Sequence, residues 1–130
     1  MPPPVFLEGE QLVQLLRGDG SGAICVLDVR DEDFRGGHIR GCLNVWSENF
    51  YEDEDVDALI QKHGLTQYKQ VIVTCFMSQQ RGPFCAKRLA SRLDAMDAQQ
   101  KPKIYVLFGG MRKFKQDYAG EADLLQDVSL

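Results

Sequence analysis

The sequence predicts an α/β sandwich built around a mainly parallel sheet of four to five strands. Three observations lead there. Strand-like and helix-like segments alternate along the whole chain. The strand-like segments are continuous apolar runs, as expected of strands covered on both faces. The 130 residues, 44% hydrophobic and 26% charged, suit one domain, 1–130, with one core.

The elements follow in order. Pro4-Val5-Phe6-Leu7 supplies an edge strand, where proline is tolerated. Leu12, Leu15 and Leu16 share one helical face. A Gly/Ser/Asp loop, 18–22, leads into a strand from Ala23 to Val29. A shorter strand runs from Gly41 to Trp46, and Gly37-His38-Ile39 lies before it. Val56, Leu59, Ile60 and His63 line a helix whose acidic start, Glu52 to Asp57, suits the helix dipole and reads as a solvated face. Gln70 to Thr74 is the clearest strand, being β-branched and of strand length. Cys85, Ala86, Leu89, Ala90, Leu93 and Met96 recur at helical spacing. Lys103 to Phe108 is the last strand. Met111, Phe114 and Tyr118 mark a short helix after Gly109-Gly110.

Charge and composition exclude several functions. A net charge of -4 argues against general nucleic-acid binding. Between Thr74 and Lys115, however, nine Lys/Arg face two acids, while the rest of the chain has six basic residues and seventeen acids. That basic half reads either as solvated helix faces or as a surface that attracts a small anion. No apolar run approaches the roughly 18 residues that span a bilayer. Met1-Pro2-Pro3-Pro4 has no signal-peptide features. No membrane association is expected, and the expected compartment is cytoplasmic or nuclear. The four cysteines, Cys25, Cys42, Cys75 and Cys85, form no C-x-x-C pair, so neither a disulfide scaffold nor a metal site is expected.

The chemistry concentrates in Val71 to Pro83. A buried strand ends at Cys75. The loop Phe76-Met77-Ser78-Gln79-Gln80-Arg81 follows, and Gly82-Pro83 opens a helix, proline being suited to a first turn. Cys75 thus lies at the carboxyl edge of the sheet, where ligands bind in such folds, and close to a helix N-terminus. Both Arg81 and that terminus favour the thiolate, the nucleophilic form. If the loop curls around one centre, its N–H groups form an anion nest. Arg81 adds a planar fork matched to a tetrahedral oxyanion. Cys75 and Arg81 are therefore the expected catalytic residues. Phe76, Met77, Ser78, Gln79, Gln80, Arg81 and Gly82 are the expected binding residues.

The Cys-x5-Arg-Gly-Pro pattern resembles the active-site loop of the rhodanese-fold cell-division-cycle phosphatases. It is also similar to that of the small single-domain arsenate reductases. Leu27-Asp28-Val29-Arg30, Phe34, Gly37-His38-Ile39, Gly41 and Asn44 resemble the superfamily signature, and Val106 to Gly110 the turn after the last strand. The resemblance implies a rhodanese-like three-layer sandwich. It also implies a cysteine-dependent phosphatase of the protein-tyrosine-phosphatase type, an arsenate reductase, or both, acting on phosphate, arsenate or a phosphorylated substrate. No bound cofactor is implied; in arsenate chemistry glutathione or glutaredoxin would act as reductant. Sulfurtransferases of the superfamily place four residues between Cys and Arg, against five here. The alternatives are sulfurtransfer and a non-catalytic module that senses an anion or a redox state.

Departures from the family pattern matter. Thr74 stands where the family commonly has His before the cysteine. Positions 76–81 hold no carboxylate for leaving-group protonation. Val29 replaces a second, protective cysteine. No Cys follows Cys85, so the zinc site of plant relatives is not implied. Cys25, Cys42 and Cys85 read as core residues. Asp28, Arg30 and His38 read as one buried ion-pair and hydrogen-bond network. His63 reads as a helix-end residue, and Phe76 with Met77 as an apolar pocket rim.

Overall fold

The computed structural model describes residues 4–18, 23–96 and 99–128. The chain start at residues 1–3 and most of the glycine-rich loop, 19–22, lie outside the described residues. In chain order the elements are β1 (Val5–Leu7), α1 (Gly9–Arg17), β2 (Ile24–Asp28), β3 (His38–Ile39), β4 (Leu43–Asn44), α2 (Asp53–Lys62), β5 (Gln70–Thr74), α3 (Arg81–Ala95), β6 (Lys103–Leu107), α4 (Gly110–Asp117) and β7 (Leu125–Gln126). Five strands form one sheet in the order β1-β6-β5-β2-β4, and every pairing in it is parallel.

Strand periodicity sends alternate side chains to opposite faces, and each face has its own core. Cys25, Leu27, Val71, Val73 and Val106 pack with Val56, Leu59 and Ile60 of α2 and Cys85, Leu89 and Leu93 of α3. Val26, Ile72 and Leu107 pack with Leu12 and Val13 of α1 and Met111 and Phe114 of α4. The result is the three-layer sandwich expected. β5 is the middle strand, so the residue that follows it stands at the centre of the carboxyl edge.

Several details differ from the sequence reading. The strand expected over 41–46 contracts to Leu43–Asn44, and Cys42 is only half-buried. β3 and β7 form a separate antiparallel pair, His38 opposite Gln126 and Ile39 opposite Leu125. The acidic start of α2 is not simply solvated. Asp53 pairs with Arg88 and Arg92, and Asp57 accepts Nε and Nη2 of Arg92 at 2.8 and 2.9 Å. These contacts tie α2 to α3 and neutralise two of the nine basic residues of the 74–115 window. His63 does end α2, capping it through its N–H to Leu59 O.

The segment leaving β2 is anchored below the surface. Arg30, fully buried, donates Nε and Nη2 to Asp28 at 3.0 and 2.7 Å and Nη2 to Gly37 O at 3.0 Å. A charge so buried needs these partners. His38 is not part of this pair. Its ring stacks on Phe34 at 4.9 Å, its Nε2 faces Asp127 at 3.9 Å, and Phe34 in turn lies under the Arg30 guanidinium.

Candidate active site

Cys75 directly follows the central strand and is only 3% exposed. Two sets of contacts fix its backbone. The Thr74 hydroxyl and the Met111 N–H donate to Cys75 O at 3.0 and 2.9 Å, and the Arg112 N–H donates to Phe76 O at 2.8 Å. The first turn of α4 thereby holds the start of the loop. Gly110 permits this approach. Its φ is +61°, and a Cβ there would lie 2.7 Å from Cys75 O and collide with Phe76 O.

The loop then curls over the sulfur. The N–H groups of Ser78 and Gly82 donate to Cys75 Sγ at 3.2 and 3.3 Å. Ser78 is buried with φ +55°, a left-handed conformation uncommon for serine, and its Oγ accepts the Cys75 N–H at 3.4 Å. A Cβ on Gly82 would sit 3.6 Å from the sulfur and 3.4 Å from Ser78 Oγ, ordinary van der Waals contact, so the approach of α3 to the sulfur does not itself require glycine. Two backbone amides and the start of α3 thus converge on one sulfur. Among the described residues, no protein group accepts from the amides of Phe76, Met77, Gln79, Gln80 or Arg81. These N–H groups are available to an anion.

The remaining expected residues distribute as follows. Phe76 and Met77 are exposed to 38% each, and Gln79 and Gln80 are also exposed. Phe84, one turn into α3, is exposed and packs against Tyr51 with ring centroids 5.4 Å apart and planes tilted by 43°. Cys85 is fully buried in the core beside α2. Burial, and then the nearby Cys75, pushes its thiol up. Burial likewise pushes Cys25 up to about 11 and Cys42 up to about 12. These three are poor sources of thiolate at neutral pH.

Arg81 has partners outside the loop. Its Nη1 and Nη2 donate to Asp33 at 2.8 and 2.7 Å, and Nη1 also reaches Asp31 at 3.3 Å. The bidentate contact with Arg81 lowers the Asp33 carboxyl to about 2 and raises the guanidinium in turn. Ser47 Oγ donates to Asp31 at 2.6 Å. Asp31, Asp33 and Ser47 are the site residues that sequence reasoning missed. Their one signal was adjacency to the Asp28-Val29-Arg30 segment. The loop carries no carboxylate, yet two carboxylates from 31–33 border it.

Comparison with known proteins matches this picture. A rhodanese-like domain model matches residues 9–117. Dual specificity phosphatase ibp1 of Schizosaccharomyces pombe is 32% identical over 120 residues, covering 79% of this chain and 83% of that protein. Dual specificity phosphatase Cdc25 of Arabidopsis thaliana is 36% identical over 90 residues, 68% of this chain and 57% of that protein, so the match spans a little over half of the plant relative. The structure of the As-Sb reductase from Leishmania major superposes with a TM-score of 0.83 at 27% identity, covering 94% of this chain and 84% of that one. Because the family match runs through both the Asp28–Arg30 anchor and the Cys75 loop, the chain belongs to the rhodanese-like domain family.

Proposed function

We propose that this chain is a cysteine-dependent phosphomonoesterase, with Cys75 as nucleophile and the 76–82 loop as oxyanion cradle. The observation that carries this reading is the convergence of the Ser78 and Gly82 amides on the Cys75 sulfur, beneath a loop that ends in Arg81. The likeness to proteins named as dual specificity phosphatases supports it.

The thiolate attacks phosphorus in line with the leaving oxygen. The S–P bond forms as the P–O bond to the leaving group breaks. The loop amides and Arg81 hold the three remaining oxygens most strongly as charge develops on them. Water then cleaves the phosphocysteine, releasing inorganic phosphate and restoring the thiol. Positions 76–81 offer no proton donor, and Asp33 is ionised against Arg81, so the leaving oxygen takes its proton from water. Weakly basic leaving groups are therefore favoured, and an aryl phosphate is the best probe.

A second reading, arsenate reduction, is favoured by the likeness to the Leishmania major reductase. There the thiolate attacks arsenate and displaces hydroxide. An external thiol, from glutathione or glutaredoxin, then attacks the Cys75 sulfur; the S–As bond breaks, arsenite leaves as As(III), and a mixed disulfide with Cys75 forms. A second external thiol reduces that disulfide and frees Cys75, so two external thiols end as one disulfide for each arsenate reduced. Both chemistries need a free thiolate and suit a reducing compartment, cytoplasmic or nuclear.

The test is a parallel assay on an aryl phosphate, on arsenate with glutathione and glutaredoxin, and on thiosulfate with cyanide. Aryl phosphate turnover is expected, and Cys75→Ser should abolish it. Arsenate turnover without phosphatase activity would select the second reading. Dominant thiosulfate turnover would overturn both, and silence on all three would leave an anion-binding module.

A further inference from the structure

We infer that Asp33, backed by Asp31, is a positioning residue that occupies one edge of the Arg81 guanidinium and so presents the other edge to the oxyanion. The inference deepens the proposed function and rests on it for the identity of the anion site. A guanidinium has five N–H groups in a fixed plane. Nη1 donates to Asp33 Oδ1 and to Asp31 Oδ2, and Nη2 donates to Asp33 Oδ2, at 2.8, 3.3 and 2.7 Å. Three donors are thus engaged. The two left are the Nε–H and the Nη2–H beside it, which point the same way along the one remaining edge. Among the described residues neither has an acceptor. A parallel pair of this kind is what binds two oxygens of a phosphate or arsenate.

The acids are themselves held. Asp33 Oδ1 accepts the Asp31 N–H at 3.0 Å, and Asp31 Oδ2 accepts the Ser47 hydroxyl at 2.6 Å. The chain enters this turn from Arg30, which Asp28 and Gly37 fix in the interior. Packing alone does not hold Arg81, whose side chain is one-third exposed. A free arginine of that kind would lose rotamer freedom on binding an anion; one already fixed by two carboxylates does not. Both acids can fulfil this role only as carboxylates, and Arg81 keeps Asp33 ionised.

The opposite role is equally definite and has the opposite sign. If the acids were a latch, they would compete with the oxyanion for the same guanidinium, and their removal would tighten anion binding. Asp33→Asn separates the two at nearly constant shape. Binding of inorganic phosphate would be followed by the fluorescence of Trp46, the single tryptophan, which precedes Ser47. Positioning predicts a weaker phosphate complex, and kcat/KM on an aryl phosphate reduced by about tenfold to a hundredfold, with a lower kcat and a higher KM. The melting temperature should barely move. Asp33→Glu should recover part of the loss, and Ser47→Ala should show a smaller loss in the same direction. Tighter or unchanged phosphate binding by Asp33→Asn would overturn the inference. A wild-type protein that binds phosphate but turns nothing over would refute the phosphatase reading alone, because the comparison of phosphate affinities still decides the role of Asp33. No phosphate binding by the wild type would overturn both.

Discussion

Helix α3 carries three arginines that meet aspartates, and its two halves use them differently. Further along the helix, Arg88 and Arg92 engage the Nε–Nη2 edge. Arg88 donates Nε to Phe50 O and Nη2 to Tyr51 O as well as to Asp53. Arg92 donates Nε and Nη2 to Asp57 and Nη1 to Asp53. At the helix start, Arg81 has the same kind of partner, but its Nε edge is left without one among the described residues. Identical chemistry thus joins two helices in one place and prepares a binding group in the other. What separates them is which edge of the guanidinium is engaged and what lies beneath: the side of α2 in one case, the Cys75 loop in the other.

The largest effect expected from this contrast is at Arg81. Arg81→Lys keeps the positive charge and removes the Nε–Nη2 edge. Turnover of an aryl phosphate should fall by on the order of a hundredfold or more, the loss typical of an oxyanion donor. Arg92→Lys should leave turnover unchanged. Equal effects of the two substitutions would mean that the charge of α3, not the geometry of one edge, serves the site.

The loop itself was legible in the sequence because its signals are local. A β-branched run, a cysteine, five residues, an arginine and Gly-Pro occupy thirteen consecutive positions, Val71 to Pro83. The five-stranded sheet was legible from continuous apolar runs, and the buried Asp28–Arg30 pair from charge placed within apolar sequence. The Arg81–Asp33 contact was not legible. It joins residues 48 positions apart, and Asp31-Glu32-Asp33 by itself looks like any solvated acidic turn. The same holds for Asp53 and Asp57, whose partners lie on another helix. β3 and β7 are two residues each, too short for any period to show. The Gly109-Gly110 turn was visible, but its task of letting α4 clasp the Cys75 carbonyl depends on a tertiary approach that no local pattern encodes.

A smaller effect concerns acid stability. Arg81 holds the Asp33 carboxyl at about 2, below its ordinary value of 3.8. A carboxyl with a lowered value in the folded state binds fewer protons there than in the unfolded chain. Its stabilising contribution is therefore full above about pH 4 and is lost as the pH falls from about 4 to about 2. Because the Asp33 side chain is 41% exposed, solvent screening keeps this contribution small. Unfolding followed from pH 6 down to pH 2 should show the wild type losing its advantage over Asp33→Asn inside that window. A difference that stays constant with pH would mean that the pair does not form in solution.

The smallest effect is expected at Arg92, in the last turn of α3. The Arg92 side chain is 25% exposed, and its partners Asp53 and Asp57 are 55% and 37% exposed. Ion pairs with such access to water gain little, because solvent screens the attraction and two long side chains lose freedom in forming it. Arg92→Ala should therefore lower the melting temperature by roughly a few degrees or less, and added salt should shrink that difference further. Aryl phosphate turnover should remain at the wild-type level. The buried α3 residues between Arg92 and the loop, Cys85 and Leu89 among them, pack into the core. A fall in kcat/KM of more than about threefold, with stability preserved, would show that the α2–α3 clamp sets the position of Arg81, and the division of α3 into a joining half and a binding half would fail.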